Sequence, residues 1–195
     1  MVRTGIREAK RHETFSRIAA TALHLFQQNG YEATTLDDIA AAAGISRRTF
    51  FYYFRSKDEI LLTWHGTGVL SGALGPSMLH ESPEQTPLEA ARHCLVDLAA
   101  RYETDESKTV DKIMRSDESL RRRKVAVLLT MEEALFESMC ALWPEPKRRP
   151  ELRATAMIAI GALRLSLDDW RDTDARHPLA HYIAANFASI AQIAQ

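Results

Sequence analysis

The chain has 195 residues, 46% of them hydrophobic, and a formal net charge of −1, enough to bury one or two cores without covalent staples. Two cysteines, Cys94 and Cys140, exclude a disulfide framework; both fall in apolar, helix-like stretches and are expected to be reduced thiols of a cytosolic protein. The most apolar stretch, Ala154 to Leu163, is about half the roughly 20 residues of a bilayer span, and residues 1–14 lack the apolar run of a targeting segment, so a soluble cytoplasmic protein with no membrane partner is expected.

The near-zero charge hides an asymmetry. Residues 1–57 carry nine Lys/Arg against five Asp/Glu, which leaves the remainder acidic. A basic head on an acidic body suits a polyanion, although such an excess is also common on solvated helical surfaces.

Phe15, Ile18, Ala19, Ala22, Leu23, Leu25 and Phe26 form a helical stripe that stops at Asn29-Gly30. Arg3, Arg7, Lys10 and Arg11 precede it, either as an arm on DNA or as a disordered basic tail. Thr34-Thr35 offers an N-cap for a short helix over 36–43, and Gly44 ends it. Ser46 caps a next helix in which Phe50 and Phe54 are expected in the core, and Ser56-x-x-Glu59 has the capping-box form that opens a fourth. Glycines at 66, 68, 72 and 75 predict that this fourth helix weakens past His65, and three prolines predict a loop over 75–87. Further helices are expected at 87–103, 107–115, 118–142, 151–171 and 178–194. The expected fold is all-α with about nine helices: a three-helix N-terminal head over 1–57 and a helical bundle over 58–195.

The block TTLDDIAAAAGISRRTFFYYFRSKDE, residues 34–59, has the physics of a helix-turn-helix. Small residues at Ala40 and Ala43 permit a close crossing, Gly44 takes the turn, and Ile45 plugs the shared core. Arg47, Arg48, Thr49, Tyr52 and Tyr53 are left for the groove side, where arginine suits guanine edges and threonine a base edge or thymine methyl.

The same block resembles the DNA-binding signature of the TetR family, which it matches at Thr35, Ile39, Ala40, Ala43, Gly44, Ile45, Ser46, Thr49, Tyr53, Phe54, Ser56, Lys57, Asp58 and Ile60. The resemblance implies a dimeric transcriptional regulator, by default a repressor, that binds a near-palindromic double-stranded DNA operator and is released by a small-molecule effector. It assigns Thr35 and Lys57 to phosphates, Arg47, Arg48 and Thr49 to base reading, and Tyr52 and Tyr53 to backbone contacts. Two residues depart from the family pattern: Arg48 stands for the usual Gly, and Phe51 stands for the usual Tyr and lacks its phosphate-bonding hydroxyl. The run R-R-T-F-F-x-Y-F is similar to a branch that includes the mycofactocin-associated regulators.

For the body, the resemblance implies a four-helix bundle across a two-fold axis, built from the last two helices. Met157, Ile158, Gly161 and Leu165 on the first, and Ile183, Phe187 and Ile190 on the second, are the interface candidates, with intramolecular packing as the competing use. An effector pocket is expected among residues 60–142, with Trp64, His93, Met114, Met131 and Phe136 as candidate lining residues. Arg121-Arg122-Arg123-Lys124 would suit an acyl-CoA-like effector, or would simply be a solvated face. Effector binding is expected to act through the fourth helix by a population shift.

No metalloprotease, phosphate-loop, nucleophile-elbow or C-x-x-C pattern is present, so neither enzyme nor cofactor is expected. His177 and His181 could hold a metal with Asp174, but Pro178 between them favours a surface pair at a helix start, and no metal is assigned. The alternative is a regulator-like helical protein with degenerate DNA binding, serving as a small-molecule or protein binding module.

Overall fold

The computed structural model describes residues 2–63 and 67–193. Among these residues the chain is all-α: α1 (Val2–Asn29), α2 (Leu36–Ala42), α3 (Arg47–Tyr53), α4 (Lys57–Thr63), α5 (Thr67–Met78), α6 (Pro87–Tyr102), α7 (Asp105–Ser116), α8 (Glu118–Leu142), a 3-10 turn (Pro146–Arg148), α9 (Arg149–Asp172) and α10 (Leu179–Ile193). No described helix is long and apolar enough to cross a membrane.

The chain divides into two compact units, Met1–Gly68 with Asp105–Arg122, and Val69–Thr104 with Arg123–Gln195. In the first unit, the stripe on α1 buries Ile18, Ala19, Ala22 and Phe26 against Ile39 and Ala40 of α2, Phe50 of α3, and Ile60 and Leu61 of α4. Gly30 ends α1 at φ +84°, a left-handed conformation that costs glycine little, and its N–H returns to the Phe26 carbonyl at 3.1 Å. Val110, Ile113 and Met114 of α7 and Leu120 at the start of α8 complete this core, and Gln27 Nε2 donates to Thr109 Oγ1 at 3.3 Å. The backbone of the N-terminal basic segment continues α1 back to Val2.

In the second unit, α6 packs against α9 and α10 around Leu95, Leu98, Ala156, Leu163, Ile183 and Phe187. Glu103, just past α6, joins all three helices: its carboxylate accepts from Trp170 Nε1 at 3.1 Å and from the Leu179 N–H at 2.7 Å. The α9–α10 turn places Asp174 and Ala175 at φ 53° and 55°, and the Ala175 N–H reaches the Trp170 carbonyl at 2.7 Å. Cys94 and Cys140 are free thiols, and burial, the largest cause, pushes Cys94 up to about 12, which removes it from thiolate chemistry at neutral pH.

One element departs from the sequence reading. Residues 67–78 are helical through Gly72, Gly75 and Pro76, where the glycine and proline content predicts a weakening helix and a loop. Tertiary packing overrides propensity here: Leu74 and Met78 are fully buried, and Gly75 sits so close to α8 that an added Cβ would stand 3.1 Å from Ser138 Oγ. The glycine serves a helix contact rather than a turn.

Removing the Glu103 carboxylate strands two buried donors. Glu103→Ala is expected to lower stability by about 2–3 kcal/mol, read as a fall of several degrees in the thermal midpoint, with Glu103→Gln losing less because it keeps one acceptor. Equal midpoints for wild type and Glu103→Ala would contradict this role.

Candidate nucleic-acid interface

The N-terminus of α2 is built by Thr35. Its hydroxyl accepts from the Asp38 N–H at 3.1 Å, while the Asp38 carboxylate accepts from the Thr35 N–H at 2.9 Å and the Thr35 hydroxyl at 2.6 Å, forming a capping box. The hydrogen bond from the Thr35 side chain, followed by that from its backbone, holds Asp38 below the usual carboxylate range. Thr34 faces the other way, buried, with its hydroxyl donating to the Gly30 carbonyl at 2.8 Å.

At the other end of α2 the backbone forms a Schellman closure. The Ile45 N–H reaches the Ala40 carbonyl at 2.9 Å and the Gly44 N–H reaches Ala41 at 3.1 Å, with Gly44 at φ +65°. Ser46 then caps α3, accepting from the Thr49 N–H at 3.1 Å and pairing with the Thr49 hydroxyl at 2.8 Å. Phe50 and Phe54, one turn apart, are buried, and Phe54 stacks on Phe15 of α1 at 4.6 Å. With those two rings inward, Arg47, Arg48, Phe51 and Tyr52 are exposed on the opposite side, while Thr49 and Tyr53 are half-buried at its margin.

Two charged residues of this face have partners that spacing alone does not reveal. Arg47 Nη1 lies 3.1 and 3.3 Å from the two carboxylate oxygens of Asp37 in the first turn of α2, and its guanidinium lies 5.8 Å over the Phe51 ring. Arg11 of α1 is 5.8 Å over the Tyr52 ring, which stands edge-on to Tyr53 at 5.1 Å. Asp37 was not among the sequence candidates; it meets Arg47 only because α2 and α3 cross as they do.

Lys57, at the start of α4, is turned toward the chain itself. Its ammonium donates to the carbonyls of Tyr31, Thr34 and Glu32 at 2.7, 3.2 and 3.3 Å and lies 4.2 Å over the Tyr31 ring. All three N–H groups thus hold the segment between α1 and α2. The Tyr31 hydroxyl donates to Asp58 from the same side. The Ser56 cap is half a capping box: its hydroxyl accepts from the Glu59 N–H at 3.3 Å, while the Glu59 carboxylate accepts from the Arg55 N–H instead.

The chain matches the model of bacterial regulatory proteins of the tetR family over residues 18–63, the span from the buried stripe of α1 to the end of α4. Those residues are similar to the DNA-binding head of the tetR family. The chain is 44% identical over 59 residues to the HTH-type transcriptional regulator TcmR of Streptomyces glaucescens, and 39% identical over 72 residues to the HTH-type transcriptional regulator EthR of Mycobacterium tuberculosis. These matches cover 30% and 37% of this chain and span only 26% and 33% of the two relatives' own lengths. The transcriptional regulator FadR of Bacillus subtilis, solved in complex with stearoyl-CoA, shares the fold at a TM-score of 0.57 and 16% identity, covering 89% of this chain and 96% of that one.

The described candidate effector residues are divided between the two units. His93 is exposed on α6, with its ring 2.6 Å from the Arg92 guanidinium; Met114 is buried in the first unit's core; Met131 and Phe136 are buried in the second. Trp64 lies outside the described residues. The basic run at the start of α8 has local partners as well, since Arg121 donates to the Arg115 carbonyl at 2.8 Å and Arg122 pairs with Glu118.

The interface candidates divide by helix. Met157, Ile158 and Leu165 of α9 are exposed, with Gly161 half-buried between them. Ile183 and Phe187 of α10 are 0% and 3% exposed and fill the second unit's own core, so α10 turns Ala185, Ala188 and Ser189 outward instead, with Ile190 half-buried. His177 and His181 are an exposed pair with tilted rings 4.7 Å apart, and the described residues contain no group of three potential metal ligands.

The capping box makes the head's acid response testable. Because folding depresses the Asp38 carboxyl, its contribution is complete above the unfolded carboxylate pKa and is lost as pH falls through the folded value. Thr35→Val is therefore expected to flatten the acid limb of stability below about pH 4, measured by denaturant midpoints between about pH 3 and 7. An unchanged acid limb would show that the cap does not tune Asp38.

Proposed function

We propose that the chain is a DNA-binding transcriptional regulator, acting as a repressor that occupies a near-palindromic operator as a homodimer and leaves it when a small molecule binds. The observation that carries this reading is the exposed face of α3, where Arg47, Arg48 and Thr49 stand on a helix anchored from behind by Phe50 and Phe54. A helix so presented fits the major groove, and arginine forks suit guanine O6 and N7. Thr35 at the start of α2, and Tyr52 and Tyr53 at the end of α3, serve as phosphate contacts, joined by Arg11 beside Tyr52. Lys57 supports the interface by holding residues 31–34 rather than by meeting a phosphate.

Half-sites one helical turn apart need reading heads roughly 34–36 Å apart, which a two-fold dimer supplies. The exposed series Met157, Ile158 and Leu165 on α9 supports that helix as the dimer face, with the small residues Ala185 and Ala188 of α10 allowing a close approach. The effector is proposed to be hydrophobic or acyl-CoA-like, by analogy with the stearoyl-CoA complex of the Bacillus regulator, and to be taken up by residues 58–195. It shifts the population toward a state in which α4 holds the head away from the operator. A cytosolic location accords with that role.

Selection of random duplex DNA on the purified protein is expected to return a palindromic site. Arg47→Ala and Arg48→Ala should each relax one base position per half-site, at a cost of about 1–3 kcal/mol of discrimination. Recovery of only weak, salt-sensitive, sequence-independent binding would reject the reading head. Met157→Glu is expected to give a monomer in sedimentation and to abolish binding to the two-half-site duplex; a dimer that still binds would move the interface elsewhere. Stearoyl-CoA is expected to lower operator affinity, and binding of it without that change would remove the effector proposal.

A further inference from the structure

Arg47 is a base-reading candidate supported from two different helices. Asp37 of α2 accepts from its Nη1 through both carboxylate oxygens, at 3.1 and 3.3 Å, and Phe51, one turn along α3, lies beneath its guanidinium at 5.8 Å. Both supports are themselves fixed. Asp37 sits in the first turn of α2, where the capping box sets the backbone and the helix dipole favours a carboxylate. Phe51 stands edge-on against Phe50 at 5.8 Å and 89°, and Phe50 is fully buried.

An arginine that reads a base must give up much of its rotamer freedom on binding. A side chain already held by a carboxylate on one nitrogen and by a ring on its face loses less. The contacts to Asp37 use Nη1 alone, which leaves the other donors of the fork for a base. Asp37 also places a negative charge beside the DNA-facing surface, which disfavours phosphate approach in any register that does not engage Arg47.

We propose that Asp37 and Phe51 are positioning residues that set base specificity through Arg47, and that Phe51 exchanges the phosphate-bonding hydroxyl of the family's usual tyrosine for a flat support under that arginine. The proposal rests on the DNA-reading function above. It gives a physical role to a departure that otherwise looks like a loss, and it adds a carboxylate to a face whose sequence candidates carry only positive charge or none.

The test measures the affinity of purified protein for the selected operator, for all single-base variants of one half-site, and for a random duplex. Arg47→Ala first identifies the base position that Arg47 reads. Asp37→Asn is expected to relax that same position, and no other, by about tenfold, while binding the random duplex more tightly because a negative charge has gone. Phe51→Leu is expected to relax the same position, and Phe51→Tyr to keep its preference while strengthening binding to every sequence alike. Asp37→Asn leaving the base preference intact, or relaxing all positions equally, would overturn the proposal, as would Phe51→Leu with wild-type preference. Failure of the wild-type protein to select any site would reject the reading head itself, an outcome distinct from either variant result.

Discussion

A seven-residue helix such as α3 is too short to persist in water, because two turns return too few hydrogen bonds for the dihedrals they fix. Everything proposed for this protein depends on that helix being held from outside. Phe50 and Phe54 hold it from behind, packed with Phe15 of α1, and the Schellman closure at Ala40, Gly44 and Ile45 fixes where it begins. Gly44 at φ +65° is what allows α2 to stop and α3 to start within the same few residues. The outward position of Arg47 and Arg48 is the other side of the same arrangement, since the buried pair one turn apart fixes which face of the helix is left to solvent.

The head's surroundings divide polar groups between those turned inward and those left exposed. Lys57, Tyr31, Thr34 and Asp58 tie the α1–α2 connection to α4, and their polar atoms are turned inward to carbonyls and carboxylates. The groups left outside, on α3 and on the neighbouring surface of α1, are arginines, hydroxyls and rings. A lysine turned inward to carbonyls thus stands apart from the arginines left exposed on α3.

The head was legible in the sequence because its determinants are local: caps at Thr35 and Ser46, a turn glycine, and rings at i and i+4 need only neighbouring residues to be recognised. What escaped depends on tertiary packing. The meeting of Asp37 with Arg47 needs the crossing of two helices, and the commitment of Lys57 to three carbonyls needs the return of α4 to the α1–α2 connection. Residues 67–78 read as a broken stretch because glycine and proline weigh as breakers, whereas Gly75 serves close contact with α8 and Leu74 and Met78 supply the burial. Ile183 and Phe187 had the right periodicity for an interface and were drawn into their own core, while Met157, Ile158 and Leu165 stayed outside; periodicity identifies a face but not the molecule it meets. Met114 illustrates the same limit, since α7 belongs by packing to the first unit although it lies far from the head in sequence.

The central claim is that α3 reads bases from the major groove, and methylation interference tests it most directly, because methyl groups on guanine N7 occupy the groove edge that an arginine fork would contact. On a duplex carrying the selected site, the account predicts interference at guanines in two half-sites about one helical turn apart, with the affected guanine of each half-site becoming insensitive in Arg47→Ala or Arg48→Ala. Tight, site-specific binding that tolerates N7 methylation throughout would contradict it and place recognition on the minor groove or on DNA shape.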